Sequence, residues 1–128
     1  MESITTKDKT PLGANYIEET KSVEFRVYSK NATMIKLCIF DSIQGENPVM
    51  VLDMKKEEND IWSTTVKDYI LNCKKRPVFY GYRVFGPNWE YDDKFEPGSS
   101  VGFKSKFDDK NNRFNPNKIA YDPYAKEL

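Results

Sequence analysis

Val23, Phe25 and Val27 alternate with Glu24, Arg26 and Tyr28, a period of two that predicts a half-buried β-strand. The turn-like Ser29-Lys30-Asn31-Ala32 separates this run from Met34 to Asp41, where Ile35, Leu37 and Ile39 share one face and Lys36 lies on the other. Four or five residues between two such runs is compatible with hairpin spacing, so the two could pair as neighbouring strands. Gln44 to Pro48 breaks the pattern with Gly45, Asn47 and Pro48. Val49 to Met54 then predicts a third short strand, Lys55 to Asp60 a solvated charged turn, and the β-branched Ile61 to Val66 a further strand. Lys67 to Lys75 suits one or two helical turns, ended by Arg76-Pro77. Val78 to Phe85 follows as another strand, with Tyr82 and Val84 on one face.

Residues 86–117 break this rhythm. Gly86-Pro87-Asn88 opens a long irregular stretch rich in Asp, Asn, Gly and Pro, and structureless loops of that length are uncommon inside compact domains. It nevertheless carries Trp89, Tyr91, Phe95, Phe103, Phe107 and Phe114, too many rings for a solvated linker. The loop is therefore expected to pack, on its own domain or on a neighbour. Ile119 to Tyr121 reads as a last short strand, and residues 1–11 as a polar tail before a domain over 12–128. Short strands at roughly ten-residue spacing with little helix predict an all-β, immunoglobulin-like sandwich of about six to eight antiparallel strands. Phe25, Val27, Leu37, Ile39, Trp62, Val66, Tyr82 and Val84 are its expected core.

Composition narrows the chemistry. A chain of 128 residues makes one domain and is far short of the roughly 250 of a (β/α)₈ barrel. Twenty basic residues balance twenty acidic ones, which argues against a nucleic-acid partner. No histidine is present and the two cysteines, Cys38 and Cys73, are far apart, so zinc ligation and His-dependent nucleophilic catalysis are excluded within this chain. No apolar stretch approaches a membrane span, and the first ten residues lack the apolar centre of a signal peptide, so a cytoplasmic location without membrane association is expected. The sequon Asn31-Ala32-Thr33 then has no glycosylation role.

The acidic residues fall in charged stretches such as Glu57-Glu58-Asn59-Asp60 and Asp92-Asp93, and no catalytic carboxylate pair stands out. Asp108-Asp109-Lys110-Asn111-Asn112 has the composition of a calcium loop but not EF-hand spacing, and an Asx-rich turn accounts for it. No cofactor or metal is expected. Trp89 has two readings: stacking on the apolar face of a sugar, with Arg83 and Asn88 bonding hydroxyls and Tyr91 beside it, or packing down against the loop or a partner.

Several segments in order resemble the amino-terminal domain of isoamylase-type glycogen debranching enzymes of glycoside hydrolase family 13, a module of carbohydrate-binding family 48. They are Leu12-Gly13-Ala14-Asn15-Tyr16, Val23-Glu24-Phe25-Arg26-Val27-Tyr28-Ser29, Asn31-Ala32-Thr33, Ile61-Trp62, Tyr80 to Trp89, Arg113-Phe114-Asn115-Pro116-Asn117-Lys118 and Asp122-Pro123-Tyr124-Ala125. The long stretch between Trp89 and Arg113 is similar to the bacterial isoamylase branch. The resemblance implies an early-set immunoglobulin-like fold and a parent that hydrolyses α-1,6 branches of glycogen or amylopectin. Its catalytic carboxylates would lie on a (β/α)₈ barrel C-terminal to Leu128, and calcium ligands beyond Leu128 as well. The chain itself is then expected to be non-catalytic. Phe40 to Gln44 holds no Trp where glucan-binding members carry a first aromatic platform. The implied role is to pack on the barrel, with Phe103, Phe107, Phe114, Asn115, Tyr121 and Tyr124 as docking residues, and to help position branched α-glucan. A free-standing glucan-binding module and a protein-interaction sandwich are the alternatives.

Overall fold

In the computed structural model, which describes residues 12–40, 48, 50–67 and 79–120, the alternating runs divide between two antiparallel sheets. The first has the order β1-β2-β6-β5, from Gly13–Ile17, Ser22–Tyr28, Ile61–Val66 and Lys55–Lys56. The second has the order β4-β3-β7, from Met50–Asp53, Met34–Phe40 and Phe79–Phe85. A single turn of 3-10 helix, Glu58–Asp60, leads into β6. The all-β sandwich expected from the sequence is therefore present. The stretch read as helical, Lys67 to Lys75, lies outside the described residues except for Lys67.

Registration explains the core. Val23 opposes Val66 and Val27 opposes Trp62 in the first sheet. Ile35 opposes Val84, Leu37 opposes Tyr82, and Ile39 opposes Tyr80 in the second. Side chains at every second position of each strand thus meet between the sheets. Phe25 and Tyr80 close the gap edge to face, with ring centres 4.9 Å apart. Phe25, Leu37, Ile39, Trp62, Val66 and Tyr82 are buried as expected, whereas Val27 and Val84 are only partly buried, at the margin of the cluster.

β2 and β3 do not pair, contrary to the spacing argument. β2 lies between β1 and β6, and β3 between β4 and β7. The five residues between them cross from one sheet to the other. The Ser29 amide still bonds the Asp60 carbonyl beside the first sheet (2.9 Å), while the Thr33 amide already bonds the Phe85 carbonyl of the second (2.8 Å). Trp62 Nε1 donates to the Ser29 carbonyl at 3.1 Å, and Ala32 is buried within the core. A second crossing explains β5. The Met54 amide bonds the Ile35 carbonyl of β3, and Lys55–Lys56 then joins β6, so the predicted charged turn is partly strand.

Arg26 projects from the first sheet on the side opposite the core, yet its side chain is 7% exposed. Its Nη1 meets Glu57 Oε1 at 3.1 Å, and the other Glu57 oxygen accepts the Ser63 hydroxyl. Ser63 is the register partner of Arg26, so this ion pair fastens β2 to β6 and to the β5 turn.

Candidate functional site

The second sheet is covered on both faces. Its inner face meets the first sheet; its outer face is roofed by the irregular stretch after β7. Phe85 is fully buried there, edge to face with Tyr91 and with Phe95, each with ring centres 5.1 Å apart. Arg83 donates from Nη1 to the Pro116 carbonyl at 2.7 Å, tying the far end of the stretch back to β7. Lys36 reaches from β3 to Asp53 (2.7 Å) and sits 4.6 Å from the Tyr91 ring centre. Burial works against the Lys36 ammonium, but the bonds to Asp53 and Tyr91 outweigh it and raise its pKa above the ordinary lysine value. The near-continuous apolar run of β3 follows from this roof, because Cys38 and Phe40 are buried as well as Ile35, Leu37 and Ile39.

Asn88 organises the roof. It is 1% exposed, and its Nδ2 donates to the carbonyls of Ser105 (3.0 Å), Lys106 (3.4 Å) and Phe114 (3.0 Å). Its Oδ1 accepts the Phe114 amide at 3.0 Å, and its own carbonyl accepts the amides of Lys104 and Ser105. Gly86 begins the turn because the Phe114 ring occupies the space where a Cβ would stand. Trp89 is buried at 8% exposure, its Nε1 bonded to the Val101 carbonyl (2.9 Å) and its ring edge to face with Phe103 (4.8 Å). Of the two sequence readings of Trp89, the geometry is that of packing down.

The four residues proposed from sequence as sugar contacts are thus not gathered on one open surface. Trp89 and Asn88 are buried and hydrogen-bonded, Arg83 is half-buried against Pro116, and Tyr91 leans on Phe85. Among the docking residues, Phe103 and Phe107 are exposed at 43% and 53%, Asn115 is exposed and Phe114 is half-buried. Asn88 brings them together, since it holds 105–106 and 114 at once. The Arg113 guanidinium lies 5.0 Å from the Phe107 ring centre and links the two segments again. Tyr121 and Tyr124 lie outside the described residues.

The Asp-Asn cluster is an Asx-type turn. Asp108 Oδ1 accepts the amides of Lys110 (3.0 Å) and Asn112 (2.8 Å), and Oδ2 accepts Asn112 Nδ2 (2.8 Å). Those bonds, chiefly the ones from Asn112, hold the Asp108 carboxyl below the usual carboxylate range. Among the described residues no group of three or more Cys, Asp or Glu is arranged to hold a metal ion.

Beside this face a groove of about 500 Å³ opens between the two sheets. Val27, Ile35, Val84 and Ile119 form its floor, Tyr28 and Phe114 its walls, and Arg113 and Lys118 its rim. Ile119 and Ala120 reach this position because Ala120 exchanges two backbone bonds with Tyr82, each 2.8 Å, as an added edge of the second sheet. The groove explains why Val27 and Val84 are incompletely buried. It was not legible in the sequence, because its floor comes from segments up to 92 positions apart (27 to 119), and Val27 and Val84 read as core.

A family model described as carbohydrate-binding module 48 (isoamylase N-terminal domain) matches residues 11–125. The isoamylase of a Flavobacterium species is 38% identical over 94% of this chain, and that of Pseudomonas amyloderamosa 37% identical over 91%. A glycogen debranching enzyme of Pectobacterium carotovorum is 32% identical over the whole chain. The chain spans only 16%, 15% and 15% of these three relatives' own lengths. A solved pullulanase from Paenibacillus barengoltzii is 28% identical, with a TM-score of 0.50 over 62% of this chain and 11% of its own. The matched residues are the module of these glycoside hydrolases and include no catalytic domain. Sandwich, aromatic roof and a match over nearly the full sequence agree: the chain belongs to the carbohydrate-binding module 48 family, the isoamylase N-terminal domain.

Proposed function

We propose that this module is the non-catalytic N-terminal part of an isoamylase-type α-1,6-glucan debranching hydrolase. It packs against the catalytic barrel and helps to hold branched α-glucan in place. The observation that carries this reading is the outward presentation of Phe103 and Phe107 from a loop whose inward residues are fixed by Asn88 and Trp89. Exposed rings on a preorganised support lose little entropy on burial by a partner, which is what a stable interface needs. The higher identity to the two isoamylases than to the glycogen debranching enzyme supports the isoamylase-type parent.

The test is association in trans. The purified chain is titrated calorimetrically into the catalytic portion of the Flavobacterium isoamylase expressed without its own module. A saturable complex, weakened in a Phe103→Ala/Phe107→Ala chain, is the expected result. Absence of any complex contradicts the packing role.

A further inference from the structure

We infer that the groove between the sheets, beside residues 113–120, is a socket of the module for its parent's catalytic portion. It takes an apolar side chain of that portion with a carboxylate next to it. This inference rests on the packing role proposed above and names the place and chemistry of the contact.

Three observations converge on that occupant. The first is the floor. Val27, Ile35, Val84 and Ile119 are aliphatic, and two of them are core residues left incompletely covered. Branched aliphatic surface at the bottom of a cleft fits another aliphatic or aromatic side chain; a sugar stacks instead on a flat, open ring. The second is charge. Arg113 and Lys118 stand at the rim, both exposed, and among the described residues that line the groove none is acidic. A partner residue bringing an apolar group into the cleft therefore meets a cationic edge, and a neighbouring carboxylate complements it. The third is chain direction. Lys118, Ile119 and Ala120 all line the groove, so the last described residues of the chain run along it. The relatives, in which this module is an N-terminal domain making up 15–16% of the length, continue from that end.

The groove is also continuous with the exposed aromatic face. Phe114 forms its wall and is clamped to Asn88, while Arg113 at its rim covers the ring of Phe107. One surface thus runs from Phe107 over Arg113 into the cleft.

The experiment uses the full chain, methyl-labelled, with the unlabelled catalytic portion of the Flavobacterium isoamylase, and in parallel with maltoheptaose at millimolar concentration. The methyl signals of Val27, Val84 and Ile119 are expected to shift with the protein and to stay in place with the sugar. An Arg113→Glu/Lys118→Glu chain, with an unchanged fold by its amide spectrum, is expected to bind about tenfold more weakly. If the complex forms but those methyl signals stay in place and the charge reversal has no effect, the groove is not the socket, although the packing role stands. If maltoheptaose moves the methyl signals, the occupant is glucan and the assignment is overturned. If no complex forms at all, the packing role falls and takes the socket with it.

Discussion

Asn88 and Phe114 exchange two hydrogen bonds through one side-chain amide. Nδ2 donates to the Phe114 carbonyl at 3.0 Å, and the Phe114 amide donates to Oδ1 at 3.0 Å. The side chain thereby acts like the backbone of a missing strand, pairing with a segment that belongs to no sheet. The residues it joins are 26 positions apart, so the whole stretch from 88 to 114 is closed by this contact. Asn88→Ala takes this partner from the part-buried Phe114 amide and carbonyl, and a loss of about 1–3 kcal/mol is expected in urea unfolding. Faster amide exchange at Phe114 accompanies it. An unchanged midpoint with unchanged exchange contradicts the clamp.

Trp62 joins the core to the crossing between the sheets. It is 5% exposed and holds the Ser29 carbonyl through Nε1. Trp62→Ala is expected to cost about 3–5 kcal/mol, enough to unfold a domain of ordinary stability. Trp62→Phe keeps most of the volume and loses only the bond to Ser29, so it retains the fold at reduced stability. The two variants, compared by thermal unfolding, separate packing from the hydrogen bond.

Glu57 answers a buried charge. Removing it by Glu57→Ala strands the Arg26 guanidinium, whose Nε already has no partner among the described residues. A loss of about 3 kcal/mol is expected, at the low end for a broken buried pair because Glu57 keeps some water contact. The double variant Arg26→Leu/Glu57→Leu, which removes both charges, is expected to be more stable than Glu57→Ala. The reverse order contradicts this account of the pair.

Cys38 is expected to be an unreactive thiol. Burial raises its pKa, and the neighbouring Arg83 lowers it only in part. In a Cys73→Ser chain at neutral pH, a thiol reagent such as dithionitrobenzoate should give colour only after denaturant is added. Rapid reaction of the folded protein contradicts the sealed roof over the second sheet.

Acid acts on the Asx turn. The Asp108 carboxyl is held below its ordinary value by the Asn112 and Lys110 donors, so the native state binds fewer protons than the unfolded one as pH falls. The contribution of the turn is present above the unfolded carboxyl value and is lost as pH falls through the native one. Asp108→Asn removes that titration and flattens the acid limb of the stability curve slightly, the group being exposed. A steeper acid limb in the variant contradicts the sign.

Alternation told which residues face inward, and the burial of Phe25, Leu37, Ile39, Trp62 and Tyr82 follows from it. It did not tell which strand lies beside which, because a five-residue connection suits a hairpin and a crossing equally. The bonds of Ser29 to Asp60 and Thr33 to Phe85, which decide for the crossing, join residues 31 and 52 positions apart. β1 and β5 carried weak signals: Gly13–Ile17 begins with glycine and alanine, and Lys55–Lys56 is two lysines. In the candidate site, the density of rings after Phe85 announced a packed loop. The placing of 104–106 and 114 depended on Asn88, a residue whose type suits sugar binding and loop closure alike. The groove escaped notice because an aliphatic residue at a sheet margin has the same pattern as one at its centre.

Hydrogen–deuterium exchange of the chain, free and in complex with the isoamylase catalytic portion, tests the central claim most directly. Protection at residues 103–107 and 113–120, with β1, an edge strand of the first sheet, unchanged, is the result expected of an aromatic docking face. Protection along Gly13–Ile17 with no change at 103–107 and 113–120 would contradict it.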